Sequence, residues 1–596
     1  MSRPEGGKAD AKGTSNLESG HSYPLRETIE SIVVAVLLAF LFRTFVGEAF
    51  IIPTGSMAPT LQGNHKDVTC VECGYPYQAS ASSENDDLSY QETVGATTCP
   101  LCRFTMPLDL DLDEERQRFG LPTDREESGR AAKTDANHES FSGDRILVSK
   151  FSYDLSNPRR WDVIVFKYPN NAKQNYIKRL IGLPGETVRV RHGDVLIKPA
   201  GENDFRIARK PPHKLVGMLQ AVHDTHYRSP ELAEVGWPSR WQPGIGDGAA
   251  GWRTVADDEK LELPQADGES WLRYRHLIPS GDAWFKLLDG DKSVIPQPGP
   301  TGGQLISDFY AYNAFTTVRA ERDHDSPVPT PSVLGTHWVG DLGLEAEVTT
   351  TGNTGELILE LVEGGVHFQC RIDLATGEAK LVVVDERLQF VDDVGQAATA
   401  SPKAATAVRG GRRHRLRFTN VDDELRLWVD DSLATFDGPT TYVSPEDCRP
   451  HWRPDDLGDL APAGIATHGA SAQIERLRIL RDVYYVAVSA ELRSDSEYTD
   501  GTSDLAAVQM FADPESWSTT NLFARRRSVD FPLGEDQFFP MGDNSPQSKD
   551  GRLWGDPPYV ERELLTGKAV LVYWPHAWSG PFRLPIPNVS RMRLIR

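Results

Sequence analysis

Apolar and polar residues alternate with a period of two over much of the chain. The stretches Leu342-Gly343-Leu344-Glu345-Ala346-Glu347-Val348, His367-Phe368-Gln369-Cys370-Arg371-Ile372, Arg415-Leu416-Arg417-Phe418 and Leu425-Arg426-Leu427-Trp428-Val429-Asp430 each place apolar groups on one side of an extended strand. Leu357-Ile358-Leu359-Glu360-Leu361 is almost wholly apolar. Strands recurring at short spacing over residues 338–480 predict an antiparallel sandwich. Residues 200–330 are rich in Pro, Gly and Trp without a clear period and read as irregular or β structure. Further strands, bounded by turn residues, are predicted within 143–150, 160–166 and 175–186.

One segment breaks this pattern. Residues 32–42 are uninterruptedly apolar, and Phe45 and Val46 extend the run beyond Arg43. A helix over residues 29–46 would be about 27 Å long, enough for a thin membrane span. Glu30 and Arg43 would then lie near the two interfaces. A buried core helix and a cleavable signal peptide compete with this reading, although no small-x-small cleavage site directly follows the run. Arg3, Lys8, Lys12 and Arg26 precede it, and after Arg43 no Lys or Arg occurs before Lys66. That asymmetry predicts a single-pass anchor with the N-terminus in the cytoplasm and the rest of the chain outside.

Composition narrows the picture further. A chain of 596 residues is too long for one core, so several domains are expected. The 50 Gly and 41 Pro agree with a β-rich, turn-rich architecture. A net charge of −22 excludes a general nucleic-acid binder. Six Cys are too few for a disulfide-dense scaffold, yet four of them pair as Cys70-Val71-Glu72-Cys73 and Cys99-Pro100-Leu101-Cys102. Two C-x-x-C knuckles can hold one tetrahedral zinc as thiolates, a closed and therefore structural site. One or two disulfides are the rival, favoured by an oxidising outer compartment. The acidic run at Asp109, Asp111, Asp113, Glu114 and Glu115 reads as a solvated face. His223 and His226 read as surface residues, and no H-E-x-x-H signature occurs.

The remaining chemistry lies in turn-bounded segments. Gly55 permits a tight turn that could expose the hydroxyl of Ser56. Along 175–186, alternation puts Tyr176, Lys178 and Leu180 on one face. A lysine among large apolar neighbours loses its proton more readily and can serve a Ser hydroxyl as general base. Near the C-terminus, Asp550 and Arg552 can form a charge-assisted pair that shapes a polar loop.

Taken together and in order, P-T-G-S-M-A-P-T-L at Pro53, G-D-R-I-L-V at Gly143, Y-I-K-R-L-I-G-L-P-G-E at Tyr176 and G-D-N-S-x-x-S-x-D-G-R-x-W-G at Gly542 resemble the bacterial type I signal peptidases, which are membrane-anchored Ser/Lys-dyad proteases. The resemblance implies a serine endopeptidase that removes signal peptides from exported preproteins at the bacterial cytoplasmic membrane and needs no cofactor for catalysis. It implies Ser56 as nucleophile, Lys178 as general base, Thr54 as an oxyanion donor beside the Ser56 N–H, and Ser548 as the hydroxyl that orients the lysine. Asp550 and Arg552 match the structural ion pair. Phe50, Ile52, Pro53, Leu61, Tyr176 and Ile177 match the shallow pockets that admit only small side chains.

The expected fold is mainly β. A signal-peptidase-type catalytic domain, discontinuous over 50–65, 141–199 and 500–596, would follow a cytoplasmic tail (1–26) and a transmembrane helix (27–49). Inserted in it would be a zinc-ribbon-like unit (66–104), an acidic linker (105–140), an irregular or β segment (200–330) and a sandwich (331–482). Asn420-Val421-Asp422-Asp423-Glu424-Leu425 and the residues after it look like laminin-G or concanavalin-like jelly-roll modules. Such modules bind glycans or envelope components, or serve as rigid spacers. A membrane-anchored binding protein whose sandwich contacts glycan or envelope and whose protease site is vestigial is the alternative from another class.

Overall fold

The computed structural model describes residues 23–41, 47–84, 92–108, 140–244, 252–255, 260–263, 265, 267–297, 299–319, 335–385, 388–392, 395–398, 400–492, 496–499, 501–575, 577–579 and 585–595. The acidic run at 109–115 lies outside them. Helix α1 spans Tyr23–Leu41, with Ile32, Val33, Val34, Val36 and Leu37 at least half exposed. Among the described residues no helix is long and apolar enough to cross a membrane. The helix expected over 27–49 is corrected at its far end, where Gly47–Ile51 forms a strand, β1. Its backbone pairs with Arg145–Ser149, and Glu48 reaches Lys150 at 2.9 Å, contacts a helical course would forfeit.

The sheet that carries the Ser56 and Lys178 segments uses β1, β2 (Arg145–Ser149), β3 (Val163–Tyr168), β4 (Asn171–Gly182), β5 (Gln537–Met541) and β6 (Leu565–Trp574). Their spatial order is β1-β2-β6-β3-β4-β5, with every neighbour antiparallel. Sequence alternation explains β2, whose Ile146 and Val148 are buried. By contrast β3 is buried on both faces and reads as a continuous apolar run. Val163 and Val165 join Ile52, Met57, Leu61, Ile146 and Val148, while Ile164 and Phe166 join Leu180, Phe538 and Trp554 across the sheet. The long β4 starts exposed and ends buried, and Lys178 stands at the transition.

A second, four-stranded sheet shows how a large insertion is accommodated. Thr187–Arg191 pairs on one side with Asp194–Lys198, which in turn pairs with Arg206–Ile207, and on the other with Ser528–Pro532, so the chain leaves this sheet at one edge and re-enters it at the other. The excursion contains two antiparallel sheets with one shared core that includes Leu344, Leu359, Phe368, Leu416, Phe418, Ile465 and Leu477. Residues 200–330 are not a separate layer. Gln220–Asp224 and Lys260–Leu263 pair with Ser471–Arg481 in one sheet, and Glu269–Tyr274 pairs with Ala463–His468 in the other. His223, read from sequence as a surface residue, lies in the first of these strands, packed against Tyr274 at a ring separation of 5.2 Å. His226 is exposed.

The two C-x-x-C knuckles follow and precede short strands. His65–Thr69 pairs with Pro76–Ser80, and Glu92–Thr98 pairs with Thr105–Pro107. Glu92–Thr98 also pairs with Phe315–Arg319, and Trp284, Leu287 and Ala311 complete the apolar core around the cysteines. This unit therefore extends well past residue 104. Cys370 and Cys448 are free thiols in different parts of the core.

Candidate active site

The segment after β1 folds back as a loop that Asp144 clamps at both ends. Ile52 donates its N–H to the Asp144 carbonyl at 3.0 Å, and Gln62 donates its N–H to the Asp144 carboxylate at 2.9 Å. A side chain at Gly143 would overlap the Ile52 carbonyl, which accounts for glycine in that motif. Within the loop, Thr54 is exposed with extended backbone and leads into a 3-10 turn over Gly55–Met57. That turn delivers Ser56, which is 8% exposed.

Lys178 on β4 meets it. Its Nζ lies 2.7 Å from Ser56 Oγ and 3.0 Å from the Ile177 carbonyl, and the side chain is buried. Burial lowers the Lys178 pKa from 10.5 to about 8, only partly opposed by the charges of Asp550 and Asp543. Those two carboxylates are held by other cations. Asp543 accepts from Nε and Nη2 of Arg179, both at 2.6 Å, and both residues are fully buried. Asp550 accepts from Nε and Nη2 of Arg552 at 2.9 and 2.8 Å, also fully buried. Burial works against the Asp550 anion, but Arg552 outweighs it and keeps the carboxyl below the usual range. No carboxylate forms an ion pair with Lys178 among the described residues.

Ser548, expected from the resemblance to orient the lysine, makes no hydrogen bond to it. Its Oγ is buried without a hydrogen-bond partner, wedged beside Gly542 and the Ser56 carbonyl. It sits near enough to Asp550 to help keep that carboxyl ionised, although no bond of good geometry joins them. The second contact of Nζ is instead the carbonyl of its own strand.

The residues expected to shape substrate pockets divide into two groups. Ile52 and Leu61 are buried in the core beneath the Ser56 loop. Phe50, Pro53, Tyr176 and Ile177 keep part of their surface. Tyr176 stacks on Tyr168 at 4.7 Å and stands edge-on to Trp554, with Lys178 Nζ 5.4 Å from its ring.

Sequence reasoning missed Asn544, although it lies inside a quoted motif. Its Nδ2 donates to the Gly55 carbonyl at 3.0 Å and its backbone N–H to the Ser56 carbonyl at 3.1 Å. It also missed Asn313 and Tyr312, which come from the long insertion and carry no sequence signal. The four knuckle cysteines are buried and free, with their sulfurs mutually within 4.8 Å. The Cys70–Cys102 and Cys73–Cys99 Sγ pairs are 3.5 and 3.6 Å apart, much longer than the roughly 2.05 Å of a disulfide.

Residues 25–78, 130–221 and 486–574 match the family model described as Signal peptidase, peptidase S26. Signal peptidase I of Leptolyngbya laminosa is 30% identical over 189 residues, which cover 30% of this chain and 54% of that protein. Signal peptidase I of Bacillus caldolyticus is 46% identical over 75 residues, covering 13% of this chain and 40% of that one. The chain thus spans about half or less of these relatives' length. Among solved structures, carbohydrate binding module CBM66 from Bacillus subtilis aligns at 10% identity and TM-score 0.20, covering 40% of this chain and 92% of that one. The three matched segments are those that bring Ser56, Lys178, Asp543 and Asp550 together, and through them the chain is similar to the signal peptidases I.

Proposed function

We propose that this protein is a serine endopeptidase that removes signal peptides from exported preproteins, with Ser56 as nucleophile and Lys178 as general base. The observation that carries the proposal is a buried amine 2.7 Å from a serine hydroxyl, with every nearby carboxylate committed to an arginine. With Lys178 neutral, the Ser56 O–H donates to Nζ, and the amine takes that proton as Oγ attacks the scissile carbonyl. The ammonium then protonates the leaving amine, and the neutral lysine activates water for deacylation. The developing oxyanion would be met by the Ser56 N–H and the Thr54 hydroxyl.

A substrate would bind extended beside the nucleophile. β1 is the edge strand of the catalytic sheet, and the ladder from β5 to β4 stops at Arg179, which leaves the stretch before Lys178 open on that side. Phe50, Pro53, Tyr176 and Ile177 would bound the subsites over a floor of Ile52 and Leu61, and selection of small side chains follows from exclusion. The half-exposed apolar side chains of α1, continued by the apolar residues after it, support a single-pass anchor in the bacterial cytoplasmic membrane, N-terminus inside and catalytic domain outside.

Two further assignments accompany this reading. The four thiols suit one structural zinc ion, since tetrahedral Zn–S bonds of roughly 2.3 Å put sulfurs about 3.8 Å apart. The groove on the second sheet of the insertion, about 980 Å³ and lined among others by Trp271, Arg273, His367 and Asp456, is where a glycan or envelope partner would sit. The intact dyad weighs against a vestigial site.

The test is cleavage of a preprotein by the full-length chain in detergent. Ser56→Ala and Lys178→Ala are each expected to lower turnover about 10⁴-fold or more while the melting temperature stays close to the parent's. Retained cleavage in either variant overturns the dyad. Metal analysis should find one zinc per chain, and thiols that titrate as two disulfides would overturn that assignment.

A further inference from the structure

The turn that presents Ser56 is held by Asn544, which binds the carbonyls of both Gly55 and Ser56. The Ser56 bond is made by the backbone N–H, but the Gly55 bond needs the Asn544 amide in one of its two orientations, because the flipped form would set its oxygen against the Gly55 carbonyl. Asn313 fixes that orientation. Its Nδ2 donates to Asn544 Oδ1 at 2.7 Å, and Asn544 Nδ2 donates back to Asn313 Oδ1 at 2.8 Å, closing a reciprocal amide pair across 231 residues of sequence. Both side chains are buried, so neither can exchange these bonds for bulk water without opening the site.

The neighbouring Tyr312 presses on the same loop. Its ring is 1% exposed and covers Gly55 so closely that any side chain there would overlap it, and its hydroxyl points to the Asn64 carbonyl at 3.4 Å. The turn that carries both residues, Ala311–Asn313, is itself anchored. Ala311 packs into the core around the four cysteines, and Phe315–Arg319 directly after it is zipped onto Glu92–Thr98. None of residues 311–313 lies in the segments that match the peptidase family.

We propose that Asn313, supplied by the insertion, is a positioning residue of the peptidase site, acting through Asn544 to hold the Gly55–Ser56 turn in line with Lys178. This rests on the peptidase reading above and adds to it that the insertion is part of the catalytic apparatus.

The test is a double-mutant cycle on the full-length chain, read as kcat and KM for a preprotein, with melting temperatures as the check on folding. Asn313→Ala should lower kcat about 100-fold, the scale expected when a nucleophile is misplaced by about 1 Å, and leave KM within about twofold. Asn313→Asp keeps an acceptor for Asn544 Nδ2 but sets a carboxylate oxygen against Asn544 Oδ1 in place of the donor, so kcat should also fall, and it serves as the readout if the alanine variant does not fold. In an Asn544→Ala background the Asn313→Ala substitution should cost almost nothing more. Losses that simply multiply, or an Asn313→Asp enzyme with parental kcat, overturn the inference. A parent chain that cleaves no preprotein overturns the peptidase reading and this inference with it, whereas an active parent beside silent Asn313 variants overturns this inference alone.

Discussion

Two lysines lie equally deep in this molecule and are held in opposite states. Lys210 and Lys178 are 3% and 4% exposed. Lys210 touches Asp422 at 2.6 Å and Asp482 at 2.7 Å. Burial pulls its pKa down, yet the two carboxylates pull harder and leave it well above the ordinary value, a permanent cation at the seam between the catalytic domain and its insertion. At Lys178 burial wins, because Asp543 and Asp550 are already neutralised by Arg179 and Arg552. Burial by itself thus makes no base. A buried lysine becomes one when the carboxylates around it are spent on other cations.

The sharpest way to break this comparison is to remove each amine. Lys178→Met should abolish preprotein cleavage by a factor of about 10⁴ or more with little change in urea unfolding. Lys210→Met should instead destabilise the chain by about 3–5 kcal/mol, since Asp422 and Asp482 are left buried and unpaired. If Lys210→Met unfolds like the parent, the two sites do not differ as described.

A second test converts one site toward the other. Arg552→Gln releases Asp550 to face Lys178, which should raise the lysine's pKa, move the acid limb of kcat/KM up by about one pH unit and cost about tenfold in rate at pH 7. The parent profile sets the baseline. The reactive form is the neutral amine, so kcat/KM should climb with pH and level off above about 8, with roughly a tenth of the lysine neutral at pH 7. A profile flat from pH 6 to 9 would contradict the assigned base.

The smallest expected effect lies beside Lys210 in the same cluster. Burial, and after it Asp422, Asp423 and Glu363, push the Asp194 carboxyl well above its usual range. A carboxyl with a raised folded-state pKa opposes folding once the pH exceeds its unfolded value. Asp194→Asn should therefore stabilise the chain by about 1 kcal/mol at pH 7 and by nothing below roughly pH 4, measured by thermal unfolding at both pH values.

Much of this was legible in the chain itself. Period-two alternation marks β2, the strands of the two-sheet insertion and the transition along β4, because a side chain's face on a strand depends only on its immediate neighbours. The spacing of the two C-x-x-C knuckles is equally local, and so is the turn chemistry around Ser56. Residues 47–49 were misread as helix because the partner that makes them a strand, Arg145–Ser149, lies almost a hundred residues away.

What only the tertiary structure decided is which groups neutralise and hold one another. Ser548 stands in the right motif, yet its hydroxyl lies against Gly542 and makes no hydrogen bond to Lys178. The pairing of Arg179 with Asp543 spans 364 residues, and that of Asn313 with Asn544 spans 231. No local period encodes such pairs, because they exist only after the core has packed and removed the water that would otherwise satisfy each group alone. Periodicity therefore specified the strands and motif spacing placed the reactive residues, while burial and long-range partners decided which lysine stays charged and which can give up its proton.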